Sequence, residues 1–269
     1  EKAITPRTRI ILPVHYAGYP CDMDALLQIS EKNSLLIIED CAHAIETEYK
    51  GRKAGTFGDF GCFSFYVTKN LVTGEGGMVI TNDARKAERI RVLALHGITK
   101  DAWTRFSDDG YKHYQVVEAG YKYNMTDMQA ELGLHQLTRL DKNWIRRKEI
   151  WDKYRTELAV LSIGLPREAG KSMRHGYHLF PITIKKKIAG ITRDQFLEEI
   201  TTRNIGAGVH YLSIPEYPYY QHQYGWNPDD YPNARDFGRS TLSLPLSAKL
   251  TNKDVDDVIE AVQDVLDNV

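Results

Sequence analysis

The stretch RIILPVHYAGYPCDMDALLQISEKNSLLIIED, residues 9–40, decides the fold. It holds two strand-sized apolar runs, Arg9 to Val14 and Leu35 to Ile38, bounded by Gly, Pro, Asp and Asn. Between them Asp22 opens a segment reaching Lys32 in which Met23, Leu26, Leu27 and Ile29 recur at a rough helical period. The pattern predicts a strand, a helix and a second strand. The LLII run is apolar at consecutive positions, which predicts a strand buried on both faces, as parallel strands of α/β sheets are. Its carboxyl end delivers Glu39 and Asp40 to the place where ligands collect in open α/β sheets, so both are candidates for a site. A helix N-cap is the alternative role for Asp40.

Working outward, Cys62–Tyr66 and Met78–Thr81 read as further strands. At Thr126-Asp127-Met128-Gln129 the T-x-x-Q form of a capping box predicts a helix, continued by an apolar stripe of Met128, Leu132, Leu134, Leu137 and Leu140. The amphipathic pattern resumes through Trp144, Ile150, Trp151, Tyr154 and Leu158. From about Leu161 a smaller α+β unit is expected, with a strand near Tyr177–Ile184, a helix over Arg193–Arg203 and a closing helix over Asn252–Leu266. The expected division is a large α/β domain over residues 1–143 and a small C-terminal domain over residues 144–269.

Composition narrows the function classes. With 42% hydrophobic and 26% charged residues the chain is an ordinary soluble globular protein, and a formal net charge of −1 supplies no general attraction to nucleic acid or an anionic membrane. Cys21, Cys41 and Cys62 show no C-x-x-C spacing and are odd in number, which argues against a disulfide framework and for a reducing, cytoplasmic compartment. Neither a signal-peptide pattern nor a membrane-length apolar run is present, and no metal site is expected.

The densest set of reactive residue types is GDFGCFSFYVTKNLVTGEGGMV, residues 58–79. Strand alternation lets its polar members, Ser64 among them, share one face, and Thr68-Lys69-Asn70 with a glycine-rich turn follows at once. Each piece alone has a plainer reading: a surface lysine, a turn, a cap, a small strand residue. Together they meet the specification of pyridoxal phosphate (PLP). That cofactor needs a lysine amine, a carboxylate to keep its pyridine nitrogen protonated, and donors for its phosphate. Lys69, Asp40 and Ser64 are the right types on adjacent strand ends.

Four spaced motifs, IEDCAHA (38–44), FSFYVTKNLVTGEGGMV (63–79), GYKYNMTDMQAELGLHQL (120–137) and STLSLPLS (240–247), resemble the DegT/DnrJ/StrS family of sugar aminotransferases, in order over essentially the whole chain. The resemblance implies an α/β protein of PLP fold type I, the aspartate-aminotransferase-like architecture, with a large domain lacking its usual N-terminal part and a small C-terminal α+β domain. It implies Lys69 as the Schiff-base and proton-shuttling residue, Asp40 as partner of the pyridine nitrogen, His43 near the cofactor's ring oxygen and Ser64 on the phosphate. Where many members carry G-Y-N-Y-R-M, this chain has Gly120-Tyr121-Lys122-Tyr123-Asn124-Met125, so either Lys122 or Asn124 is the counterpart of the residue that reaches the phosphate in a neighbouring subunit. His210-Tyr211 in the aromatic stretch 208–226 matches a pair that relatives keep in the small domain, a candidate for substrate contact.

The expected reaction moves an amino group from L-glutamate, or glutamine, to a keto group of a nucleotide-linked sugar, with pyridoxamine phosphate as the intermediate form. A homodimer with a site at its interface is implied as well. Alternatives within the resemblance are a PLP- or pyridoxamine-phosphate-dependent sugar dehydratase, a cyclitol aminotransferase, and a truncated, non-catalytic or regulatory member. Dehydratase relatives typically carry histidine in place of the lysine, so Lys69 favours amine transfer.

Overall fold

Asp22 starts the first helix as its position suggests: its carboxylate accepts the Ala25 backbone N–H and closes the first turn of α1 (Met23–Asn33). Ser34 leaves that helix in the left-handed conformation, and the chain turns back into a strand. In the computed structural model, which describes residues 1–98 and 114–268, β1 (Ile10–Ile11) and β2 (Leu36–Asp40) flank α1 in sequence and pair in parallel. After a short hairpin of β3 (Glu48–Tyr49) and β4 (Arg52–Lys53), β5 (Phe60–Ser64) adds in parallel to β2. The antiparallel β6 (Gly77–Ile80) completes a sheet of order β1-β2-β5-β6. The chain then forms α2 (Ala84–Ala94), α3 (Asp127–Leu137) and α4 (Leu140–Glu157). Thr126 and Gln129 make the capping box of α3 that their spacing predicts.

One expectation needs correction. β2 is not buried on both faces: Ile37 and Glu39 are enclosed, at 1% and 0% exposure, while Leu36 is 43% exposed. A run of four apolar residues carries no alternation of its own, so its periodicity could not say which face lay open. The apolar stripe of α3 lies largely open, with Met128 and Leu134 80% and 61% exposed and only Gly133 of that helix buried.

The chain forms two compact units, residues 1–140 with 171–176, and residues 141–170 with 177–269. The returning segment supplies β7 (Met173–Arg174) to a small sheet of order β4-β3-β7 in the first unit, beside a cluster of Met23, Ile37 and Tyr49. In the second unit β8 (Phe180–Thr183) pairs antiparallel with β9 (Thr241–Leu244), and the helices are α5 (Lys186–Ala189), α6 (Arg193–Thr202), α7 (Pro218–Tyr224), α8 (Pro232–Ser240) and α9 (Asn252–Asp267). Its core packs Trp151 and Tyr154 of α4 on Phe180 and Phe196, all at most 2% exposed. Burial of such side chains contributes about 1.5–3 kcal/mol each.

Candidate active site

Parallel pairing sets Asp40 opposite Cys62. Ser64 follows two residues later, hence on the same face of the strand. With Leu12, Ile38, Ala42 and Phe63 these residues line a cavity of about 270 Å³ at the carboxyl ends of β2 and β5, where ligand crevices of open α/β sheets form. The Asp40 carboxylate accepts the Ala42 backbone N–H at 2.9 Å, which fixes its direction. Asp40 caps no helix, because residues 41–47 run as turns.

Glu39 does not join that site. Consecutive strand residues point to opposite faces, so Glu39 enters the interior. One carboxylate oxygen accepts His15 Nε2–H and the Gly55 N–H at 3.1 and 2.7 Å, and the other accepts the N–H groups of Phe57 and Gly58 at 2.7 and 2.8 Å. Burial alone would push this carboxyl up. The hydrogen bonds from His15, Gly58, Gly55 and Phe57 outweigh it and hold the group below its ordinary value of 4.5. Cys41 completes a His15, Glu39, Cys41 cluster whose ligand-type atoms lie within 4.8 Å of one another. Its acceptors are already spoken for, since His15 Nδ1 accepts the Cys21 N–H at 3.1 Å, and the cluster acts as a structural joint. Gly61 of β5 lets the 55–58 turn come this close, because a Cβ there would sit 2.4 Å from Gly55 Cα.

Lys69 lies in the turn after β5. The turn is closed by Phe65 N–H to Gly76 O at 2.8 Å and Thr73 N–H to Phe65 O at 2.9 Å, and the Lys69 N–H bonds to Tyr66 O at 2.9 Å. Gln129 of α3 donates to the Glu75 carbonyl at 2.9 Å and braces the far side of the turn. Burial pushes the Lys69 amine below its ordinary pKa of 10.5, and the charge of Asp40 pulls it partly back. Because burial penalises the ammonium form, the neutral, nucleophilic amine is populated at lower pH than on exposed lysines. Competitive acylation followed by peptide mapping is therefore expected to give Lys69 a labelling midpoint below those of Lys50 and Lys253, whose carboxylate partners raise them.

His43 is 8% exposed, and its Nδ1 accepts the Ala17 N–H at 3.2 Å, which leaves Nε2 to carry the proton of the neutral ring. The Ser64 hydroxyl takes a long 3.4 Å bond from the Tyr66 N–H. Lys122 and Asn124 hydrogen-bond to each other on an exposed stretch, and neither lines the cavity. His210 and Tyr211 belong to the second unit, their rings edge to face at 4.9 Å. Of the residues singled out from sequence, Asp40 and Ser64 thus share one cavity, with Lys69 within reach of Asp40's charge. Asn70, quoted in the same motif, was given no role by its sequence context, yet it ties the lysine turn down through two hydrogen bonds.

Known proteins resemble this chain in sequence, and solved ones in fold. The spore coat polysaccharide biosynthesis protein SpsC of Bacillus subtilis (strain 168) is 46% identical over 267 residues, 99% of this chain and 69% of SpsC. Spr1654 of Streptococcus pneumoniae, solved in PMP and PLP forms, superposes in its PMP form with a TM-score of 0.91 at 33% identity, over 99% of this chain and 71% of its own. Helicobacter pylori PseC, an aminotransferase involved in the biosynthesis of pseudoaminic acid, superposes with a TM-score of 0.90 at 28% identity, over 100% of this chain and 69% of its own. The fold is that of fold type I aminotransferases, as the motifs led one to expect. A model of the DegT/DnrJ/EryC1/StrS aminotransferase family matches residues 1–263, and with SpsC and the solved relatives it establishes that this chain belongs to that family.

Proposed function

We propose that this chain transfers an amino group from L-glutamate to the keto group of a nucleotide-linked sugar, using pyridoxal phosphate held on Lys69. The observation that carries the reading is the shared cavity of Asp40 and Ser64, with a partly buried lysine whose amine feels the Asp40 charge. These groups fit the cofactor chemically: a carboxylate, a hydroxyl and an amine biased toward its neutral form. When bound, PLP supplies an electron sink for the electrons of a broken C–H bond. Asp40 would hold the proton of the pyridine nitrogen, His43 would offer its Nε2–H to the ring oxygen, and Ser64 would offer its hydroxyl to the phosphate. Lys69 Nζ would carry the proton between the substrate carbon and the cofactor, for which a neutral amine is required. Lys122 or Asn124 would serve the phosphate of a second subunit in a homodimer, and His210 and Tyr211 would face the sugar nucleotide.

A sugar acceptor is supported by the relatives, one named for coat polysaccharide biosynthesis and one for that of pseudoaminic acid. No helix among the described residues is long and apolar enough to cross a membrane. The test supplies the protein with PLP, ¹⁵N-labelled L-glutamate and separate panels of nucleotide-linked keto sugars and free cyclitol ketones, read by mass spectrometry. Label is expected in an amino-sugar nucleotide; label confined to a cyclitol amine, or in no acceptor, would contradict the proposed substrate class.

A further inference from the structure

The Asn70 side-chain amide uses its two hydrogens on two acceptors, Glu46 Oε2 at 2.9 Å and the Gly176 carbonyl at 3.0 Å. Both acceptors are anchored. Glu46 is 1% exposed, in the turn that follows Asp40 and carries His43. Gly176 is locked by its own N–H to the Gly18 carbonyl at 2.8 Å, which also accepts the Thr47 hydroxyl at 2.8 Å. No side chain fits there, since a Cβ on Gly176 would stand 2.7 Å from Thr47 Oγ1 and 3.2 Å from the His43 carbonyl. One amide therefore joins the turn after β5, one residue from Lys69, to the turn after β2, and to a segment more than a hundred positions away in the chain. The next residue, Leu71, is buried at 3% exposure.

We infer that Asn70, through Glu46 and the Gly176 carbonyl, is the positioning residue that sets where Lys69 stands relative to Asp40 and His43. The inference rests on Lys69 being the cofactor-binding lysine. The hydrogen bonds of Asn70 supply direction as well as cohesion, because an amide with both hydrogens committed has no rotational freedom left. Loss of the clamp frees the turn, exposes the Lys69 amine to water and scatters its position, and a misplacement of about 1 Å at a reacting group costs on the order of 100-fold in rate.

The test compares the wild-type protein with Asn70→Ala, Asn70→Ser, Glu46→Gln and Glu46→Ala. The first readout is the labelling midpoint of the Lys69 amine without cofactor, and the second is the rate at which borohydride-fixed PLP accumulates on Lys69. Asn70→Ala and Glu46→Ala are expected to raise the midpoint toward that of an exposed lysine and slow fixation at least about tenfold. Glu46→Gln keeps an acceptor oxygen and is expected to stay near wild type. Asn70→Ser keeps one donor and gives an intermediate shift if Asn70→Ala does not fold. A wild-type midpoint in Asn70→Ala or Asn70→Ser, with fixation undisturbed, overturns the inference, and so does Glu46→Gln behaving like Glu46→Ala. If wild-type Lys69 is not fixed at all, the parent reading of Lys69 fails, an outcome separate from the others.

Discussion

Lys69→Ala is expected to lose amine transfer by at least about 10⁴-fold, the upper end of what a positioned proton carrier contributes, because the covalent hold on the cofactor goes with it. Lys69→Arg is expected to be equally inactive. It restores the positive charge but offers a guanidinium that stays protonated and neither attacks a carbonyl nor accepts a proton at working pH. The arginine variant thus separates a charge role from a nucleophile and base role, with glutamate consumption as the assay and thermal unfolding as the control for folding. Lys69 is partly buried in a turn closed by backbone bonds that its side chain does not make, so both variants should melt close to wild type.

The largest stability effect is expected one residue before Asp40. Glu39→Ala removes a fully buried carboxylate that accepts four N–H groups, leaving the backbone donors of Gly55, Phe57 and Gly58 and the His15 ring without partners. Breaking a buried charged set by deleting one member costs about 3–5 kcal/mol. Glu39→Gln, which keeps one acceptor oxygen but turns an amide toward donors, should cost about 2 kcal/mol. Urea unfolding measures both. The neighbouring Asp40→Ala should cost within about 1 kcal/mol, since its side chain faces the cavity, yet remove activity. The carboxyl of Glu39 is held below its ordinary value in the folded state, so the stability it lends is complete above about pH 4.5 and is lost as pH falls through that lowered value. In Glu39→Gln this part of the acid dependence should vanish.

The contrast between Glu39 and Asp40 shows how much the sequence could say. Strand, helix, strand over residues 9–40, the cap at Asp22 and the capping box at Thr126 were legible because each rests on local chemistry. That Glu39 and Asp40 must part company was also legible, since alternation sends adjacent strand residues to opposite faces, but the pull of two acidic groups at a strand end obscured it. What the sequence did not disclose is non-local. Nothing near Lys171–Gly176 announces that it returns to the first unit, adds β7 and offers the carbonyl that Asn70 holds. The exposed stripe of α3 illustrates the same limit, because periodicity reports an apolar face without reporting what, if anything, lies against it.

The central claim is that this cavity holds PLP through Lys69. The most direct measurement incubates the protein with PLP, reduces it with borohydride and maps the modified peptide by mass spectrometry, with Lys69→Ala alongside. A single phosphopyridoxyl group on Lys69, absent from the variant and suppressed when L-glutamate is added before reduction, is the predicted result. Modification spread over exposed lysines such as Lys32 and Lys253 at equal levels in both proteins would contradict it.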